Sequence, residues 1–242
     1  MNVKKKGLRF AAAAVLLACL PFSAAAKTVK LDDSPFTVRY VALGDSLAAG
    51  QTPYKYVDYG YPDYLAEAFD GKRYKLKEFD NYGIPGYTSE NVKNDVVKSK
   101  KIREDIKDAT HLTIDIGAND LLPKLKTDPA GAIMTAAANL EIILKTIDSL
   151  NSRVQVYVMG YFNPYPSMPA EEQARLLPIL QKLNEVIKTA VSKNKDTYVP
   201  TDALIAATAL EYIPNPADIH LSEAGYKAVA AEFWKVMDKK KK

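Results

Sequence analysis

The sequence predicts an α/β fold, a three-layer α/β/α sandwich of the flavodoxin-like kind with about five parallel strands. Three observations lead there. Short apolar runs alternate with longer segments of helical periodicity, the pattern of repeated strand–helix units. The first of the runs, Val38 to Leu43, is apolar along most of its length and reads as a buried parallel strand. Three of them stop abruptly at Gly44, Asn81 and Gly117, in polar, glycine-containing segments suited to the carboxyl edge of such a sheet.

The first strand is expected over residues 37–43, where Val38 to Leu43 runs into Gly44-Asp45-Ser46-Leu47. A helix over 62–69 leads to a second strand at 75–81, and a helix over 89–98 to a third at 111–116, His-Leu-Thr-Ile-Asp-Ile. The long helix 129–150 precedes a strand at 154–159, and helix 170–192 precedes a short one at 197–199. The last helix, 222–237, is the most legible. Ser222 is a good N-cap, and Glu223 puts negative charge where the helix dipole favours it. Val229, Phe233 and Val236 recur at helical spacing and should cover the sheet, leaving Lys227, Glu232 and Lys235 to water.

Residues 1–26 read as a secretory signal rather than as part of the fold. Lys4, Lys5, Lys6 and Arg9 precede an apolar stretch, residues 10–22, and Ala24-Ala25-Ala26 offers small residues for cleavage. The rival reading is lipid attachment at Cys19, because Leu16-Leu17-Ala18-Cys19 approximates a lipoprotein box. Residues 27–242 then form one domain. The leader carries the whole formal charge of +4, so the rest of the chain is neutral and nucleic acid is not an expected partner. The basic run at 239–242 reads as a solvated terminus. Cys19 is the chain's one cysteine, which leaves the domain no disulfide, no thiol nucleophile and no cysteine-based metal site.

Ser46 is the residue on which a functional reading turns. It sits where the first strand gives way to a helix, with Gly44 permitting a tight turn, and its own amide should point into the site. Acyl transfer through serine needs a base, and the chain has two histidines. His111 opens a buried strand far from its carboxyl end and reads as structural. His220, in the loop leading into the last helix, is the expected base. Asn119, in Gly117-Ala-Asn-Asp120, offers an uncharged donor for an oxyanion. Gly83 and Gly86, in Asn81-Tyr-Gly-Ile-Pro-Gly-Tyr-Thr-Ser89, offer bare backbone. Asp45 and Asp120 read as braces for the serine turn and the asparagine loop.

These four blocks, in this order, resemble those of the GDSL, or SGNH, hydrolase family. The resemblance implies esterase or lipase chemistry without metal or other cofactor. It also implies an oxyanion hole from the Ser46 and Gly86 amides and the Asn119 side chain, with Ser46 and His220 catalytic. One position departs from the pattern. The family's aspartate stands three residues before the histidine, which here is Ala217, and the nearest acid is Asp218. Either Asp218 orients the imidazole, or a carbonyl near Ala217 does and the site is a Ser–His dyad.

A secreted enzyme acting on lipid or short-to-medium acyl esters follows from this reading, with transient contact to a lipid surface. A carbohydrate O-acetylesterase, a thioesterase or a non-catalytic lipid- or glycan-binding module are the alternatives. Two loops bear on the substrate: residues 51–61, with Tyr54, Tyr56, Tyr59 and Tyr61, and residues 161–169, rich in aromatics and proline. Either they line an apolar groove, or they only stiffen the loops they occupy.

Overall fold

A computed structural model describes residues 34–238. The leader, Cys19 and the basic run at 239–242 lie outside the described residues. Strands β1 (Phe36–Gly44), β2 (Tyr74–Gly83), β3 (His111–Asp115), β4 (Gln155–Met159) and β5 (Thr197–Val199) form one sheet in the order β2-β1-β3-β4-β5. Every neighbouring pair is parallel. The central strands explain their own composition: β3 is buried at all five positions and β1 from Tyr40 to Gly44. β2 is an edge strand, and Lys75, Lys77 and Glu78 leave it a charged flank that discourages further pairing.

The helices are α1 (Ser46–Ala49), α2 (Tyr61–Ala68), α3 (Ser89–Lys98), α4 (Lys100–Asp108), α5 (Ala118–Leu121), α6 (Pro129–Leu150), α7 (Ala170–Asn194), α8 (Asp202–Ala207), α9 (Ala209–Tyr212) and α10 (Glu223–Met237). The chain moves outward from β1 to β2, then back past β1 to β3. Because parallel crossovers are right-handed, that reversal sends α2 to one face of the sheet and α3, α4, α6 and α7 to the other. Contacts agree, with α2 against α10 and α3, α4 and α7 against α6. The reversal also opens a crevice where the carboxyl ends of β1 and β3 part, the usual place for a site in such sheets. Gly44 of β1 stands there between Gly83 of β2 and Asp115 of β3.

The last helix follows its sequence. Ser222 Oγ accepts the Gly225 N–H at 3.3 Å, and Val229 and Phe233 are buried. Val236 is only half-buried, and Met237 takes the inward position beside it. Helix α6 buries Ile133, Leu140, Ile143, Leu144 and Ile147 along one stripe, each contributing on the order of 2 kcal/mol. Helix α4 was not expected. Ser99 Oγ accepts the Ile102 N–H to start it, but only Ile102 and Ile106 turn inward from an otherwise charged segment. Two apolar residues are too few to reveal a period.

His111 takes the structural place expected of it, at the opposite end of β3 from the crevice, packed among Phe36, Phe69, Tyr74 and Tyr157. Its Nδ1 meets Thr110 Oγ1 at 2.9 Å and its Nε2 meets Gln155 Nε2 at 3.3 Å, so the neutral ring is the one that fits. Burial pushes its pKa down to about 4 from the usual 6.5. The unfolded chain therefore binds a proton that the folded chain resists. Stability falls as pH drops from about 6.5 towards 4, by roughly 3 kcal/mol at the low end. Thermal melts across that window should show His111→Gln losing this part of the acid sensitivity. Parallel curves for the two proteins would contradict it.

Candidate active site

Three strand ends and one helix start build the site. Beyond Gly44 the backbone turns at Asp45, whose Oδ1 accepts the Leu47 N–H at 3.0 Å and so caps α1. Ser46 is the first residue of that helix and is 7 % exposed. From the far end of the chain, the loop before α10 brings His220 Nε2 to 2.8 Å from Ser46 Oγ. His220 Nδ1 lies 2.6 Å from Asp218 Oδ1. An ionised carboxylate only accepts, so the proton sits on Nδ1 and the free pair of Nε2 faces the hydroxyl.

The unusual spacing of aspartate and histidine has a local explanation. Asp218 Oδ1 accepts both the ring Nδ1–H and the backbone N–H of His220, the latter at 2.9 Å. A two-residue separation suits this closed turn, in which the side chain bonds the backbone two residues on. Asn215 steadies the loop: its Oδ1 accepts the Ala217 N–H at 3.1 Å, and its Nδ2 donates to Pro53 O at 2.8 Å. The ring thus bonds Asp218 rather than a carbonyl near Ala217.

The two glycines differ. Gly83 packs so tightly on α1 that a Cβ there would lie 2.4 Å from Ala49 N. Gly86 has φ +82°, a conformation that favours glycine, and faces open space. Asn119 is joined to this segment, since its Nδ2 donates to Tyr87 O at 2.9 Å. Asp120 braces the same junction, accepting from Ser89 N at 2.8 Å and Ser89 Oγ at 2.6 Å. Asn81 clasps the end of β2 to the serine turn, donating to Ala48 O at 2.8 Å. Among the described residues no acceptor takes the N–H of Ser46 or of Gly86.

Ser46, Asn119 and His220 open on one cleft. Its walls are apolar, formed chiefly by Leu121, Leu122, Leu125, Leu176, Leu180 and Leu183. Gly86 is not on that wall and is tied to it through Tyr87 and Asn119. Of the two aromatic loops, only the second contributes, through Tyr161, Phe162 and Pro164. The tyrosine loop goes elsewhere. Tyr54, Tyr56 and Tyr59 border a separate cleft with Asp58, Glu67 and Glu223, while Tyr61 is buried on Phe233 at a centroid distance of 4.8 Å.

Sequence reasoning missed the leucine wall and Asp115. Leu176, Leu180 and Leu183 do recur at helical spacing on α7, but that pattern alone reads as core. Asp115 left a clearer signal as a carboxylate inside an apolar strand, a position rarely tolerated without a task.

A hydroxyl hydrogen-bonded to an imidazole, itself oriented by a carboxylate, is the arrangement that activates serine. Comparison with known proteins supplies the family and the fold. Residues 42–228 match the model of the GDSL-like Lipase/Acylhydrolase family. The chain is 24% identical to the uncharacterized protein YpmR of Bacillus subtilis (strain 168) over 215 residues, covering 82% of this chain and 80% of YpmR. The lipase Lip_vut3 from a goat rumen metagenome superposes with a TM-score of 0.67 at 21% identity, over 82% of this chain and 96% of that one. Axe2, an acetylxylan esterase of Geobacillus stearothermophilus, superposes at 0.64 and 18% identity, over 86% and 97%. With its five-stranded parallel sheet and its match from the first strand into the last helix, the chain belongs to the GDSL-like lipase/acylhydrolase family and is an esterase/lipase-type hydrolase.

Proposed function

We propose that the chain hydrolyses neutral carboxylic esters with an apolar acyl group through an acyl-enzyme on Ser46. His220 Nε2 takes the hydroxyl proton as Oγ attacks the carbonyl, and Asp218 stabilises the imidazolium that forms. The oxyanion is met by the N–H groups of Ser46 and Gly86 and the Asn119 side chain. His220 then protonates the leaving alcohol. Water, deprotonated by the same ring, releases the acid and restores Ser46. The observation that carries this reading is the unbroken chain Ser46–His220–Asp218, at 2.8 and 2.6 Å, facing a leucine-lined cleft.

That cleft implies selection for acyl length. Each methylene placed against leucine adds roughly 0.8 kcal/mol, so kcat/KM should climb from aryl acetate to aryl octanoate. Leu180→Trp, filling the cleft, should cut octanoate turnover about 10–100-fold and leave acetate within about 3-fold. A flat chain-length series in both proteins would remove the cleft from acyl binding.

A second reading, an acetyl ester on a carbohydrate, draws on the cleft bordered by Tyr54, Tyr56 and Tyr59 with Asp58 and Glu223. Acetylated sugars turned over faster than aryl octanoate would favour it. We also propose export directed by residues 1–26. A mature amino terminus at Lys27 supports simple cleavage, and a lipid-bearing Cys19 supports the anchored form.

A further inference from the structure

Two buried carboxyl groups lie directly against the serine turn and take no part in the chemistry above. Asp115, the last residue of β3, is fully buried and stands in register with Gly44. Its Oδ2 accepts the N–H of Asp45 at 3.2 Å and of Ala48 at 3.3 Å, and its Oδ1 accepts the Tyr61 hydroxyl at 2.7 Å. Asp45 is nearly as buried. Its Oδ1 takes the Leu47 N–H at 3.0 Å, and its Oδ2 takes the Tyr161 hydroxyl at 3.0 Å.

The amides of the turn are thus divided between two carboxyls, with one exception. Residues 45, 47 and 48 each donate to a side-chain oxygen, while the Ser46 N–H meets no acceptor among the described residues. An amide in the first turn of a helix has no partner within the helix, and this one, on the wall of the cleft, is free to meet a ligand atom. The first glycine of the motif belongs to the same device. A Cβ on Gly44 would lie 2.3 Å from Asp115 Oδ1, so glycine is what admits the carboxyl to its place.

We propose that Asp115 is a positioning residue for catalysis: by holding the amides on both sides of Ser46, it leaves the Ser46 N–H aimed at the oxyanion and Oγ at His220. The carboxyl is itself oriented from the helical layer, because Tyr61 of α2, which bonds it, stacks on Phe233 of α10 at an interplanar angle of 4°. Burial, and then the neighbouring Asp45, push the pKa of Asp115 well above the usual carboxylate range. Retaining a carboxyl there is costly, and its grip on the turn is what offsets the cost.

The inference rests on Ser46 being the nucleophile, and its test separates the two. Asp115→Ala removes both acceptor oxygens, so the N–H groups of Asp45 and Ala48 and the Tyr61 hydroxyl lose their partners together. We expect kcat per labelled active site to fall about 10²-fold with KM within about 3-fold. Affinity for an aryl boronic acid, whose tetrahedral adduct uses the same N–H, should fall in parallel. Tyr61→Phe keeps the stacked ring and removes only the hydroxyl. It should show the same pattern at about 5–10-fold, and it decides the matter alone if Asp115→Ala does not fold. A lower melting temperature with unchanged kcat per active site and unchanged boronate affinity overturns the proposal. Ester turnover that survives Ser46→Ala overturns instead the reading beneath it.

Discussion

Replacing Ser46 with alanine is expected to lower ester turnover by about 10⁶-fold, and His220→Ala by a similar amount. The geometry makes the two losses one. With Oγ 2.8 Å from Nε2, neither group works without the other: the hydroxyl is a poor nucleophile until the ring takes its proton, and the ring has no other task. The double variant should therefore be no worse than either single one. Both should fold, because Ser46 Oγ contributes only this bond, and α10 is anchored by Phe233 and Tyr226 rather than by the ring. Residual hydrolysis by the oxyanion donors alone should remain measurable above water. Kinetics with an aryl ester, alongside circular dichroism for the fold, provide the check. Losses of only a few-fold in either variant would remove that residue from the mechanism.

The second large effect is at Asp218, where the short spacing changes the expectation. Asp218→Ala removes both the charge and the clasp on the His220 backbone, and should cost about 10⁴-fold in kcat. Asp218→Asn is expected to be milder, about 10²-fold. One oxygen, Oδ1, makes both bonds, so an amide oxygen can keep the ring's orientation and tautomer, and only the charge facing the imidazolium is lost. A drop of less than 10-fold in Asp218→Ala would establish a Ser–His dyad. Equal losses in the two variants would show that the clasp contributes nothing.

Much of this was legible in the sequence because the signals were local. β1, β3 and β4 lie where short apolar runs end at a glycine, and the parallel order follows from helices standing between the strands. Ser46, Asn119 and His220 were readable because each follows a strand or precedes a helix in a segment whose neighbours have plain turn chemistry. The features that escaped depend on distance in the fold. The leucines at 121–125 and 176–183 meet across the cleft from separate elements, and each set alone resembles ordinary core. The tyrosine loop was ambiguous for the same reason. Its destination is set by Asn215 bonding Pro53 and by Tyr226 donating to Gln51 O at 2.6 Å, partners more than 160 residues away. Asp115 appeared in the sequence only as an acid in a strand, and only its three donors reveal what it holds.

One measurement bears most directly on the claim that this hydroxyl is the nucleophile: intact-mass analysis with peptide mapping after exposure to a fluorophosphonate. A single phosphonyl adduct on Ser46, formed quickly in the native protein and nearly absent in His220→Ala, is the expected result. Absence of any adduct on active protein, a label on another residue, or labelling of Ser46 at the same rate without His220 would contradict the account.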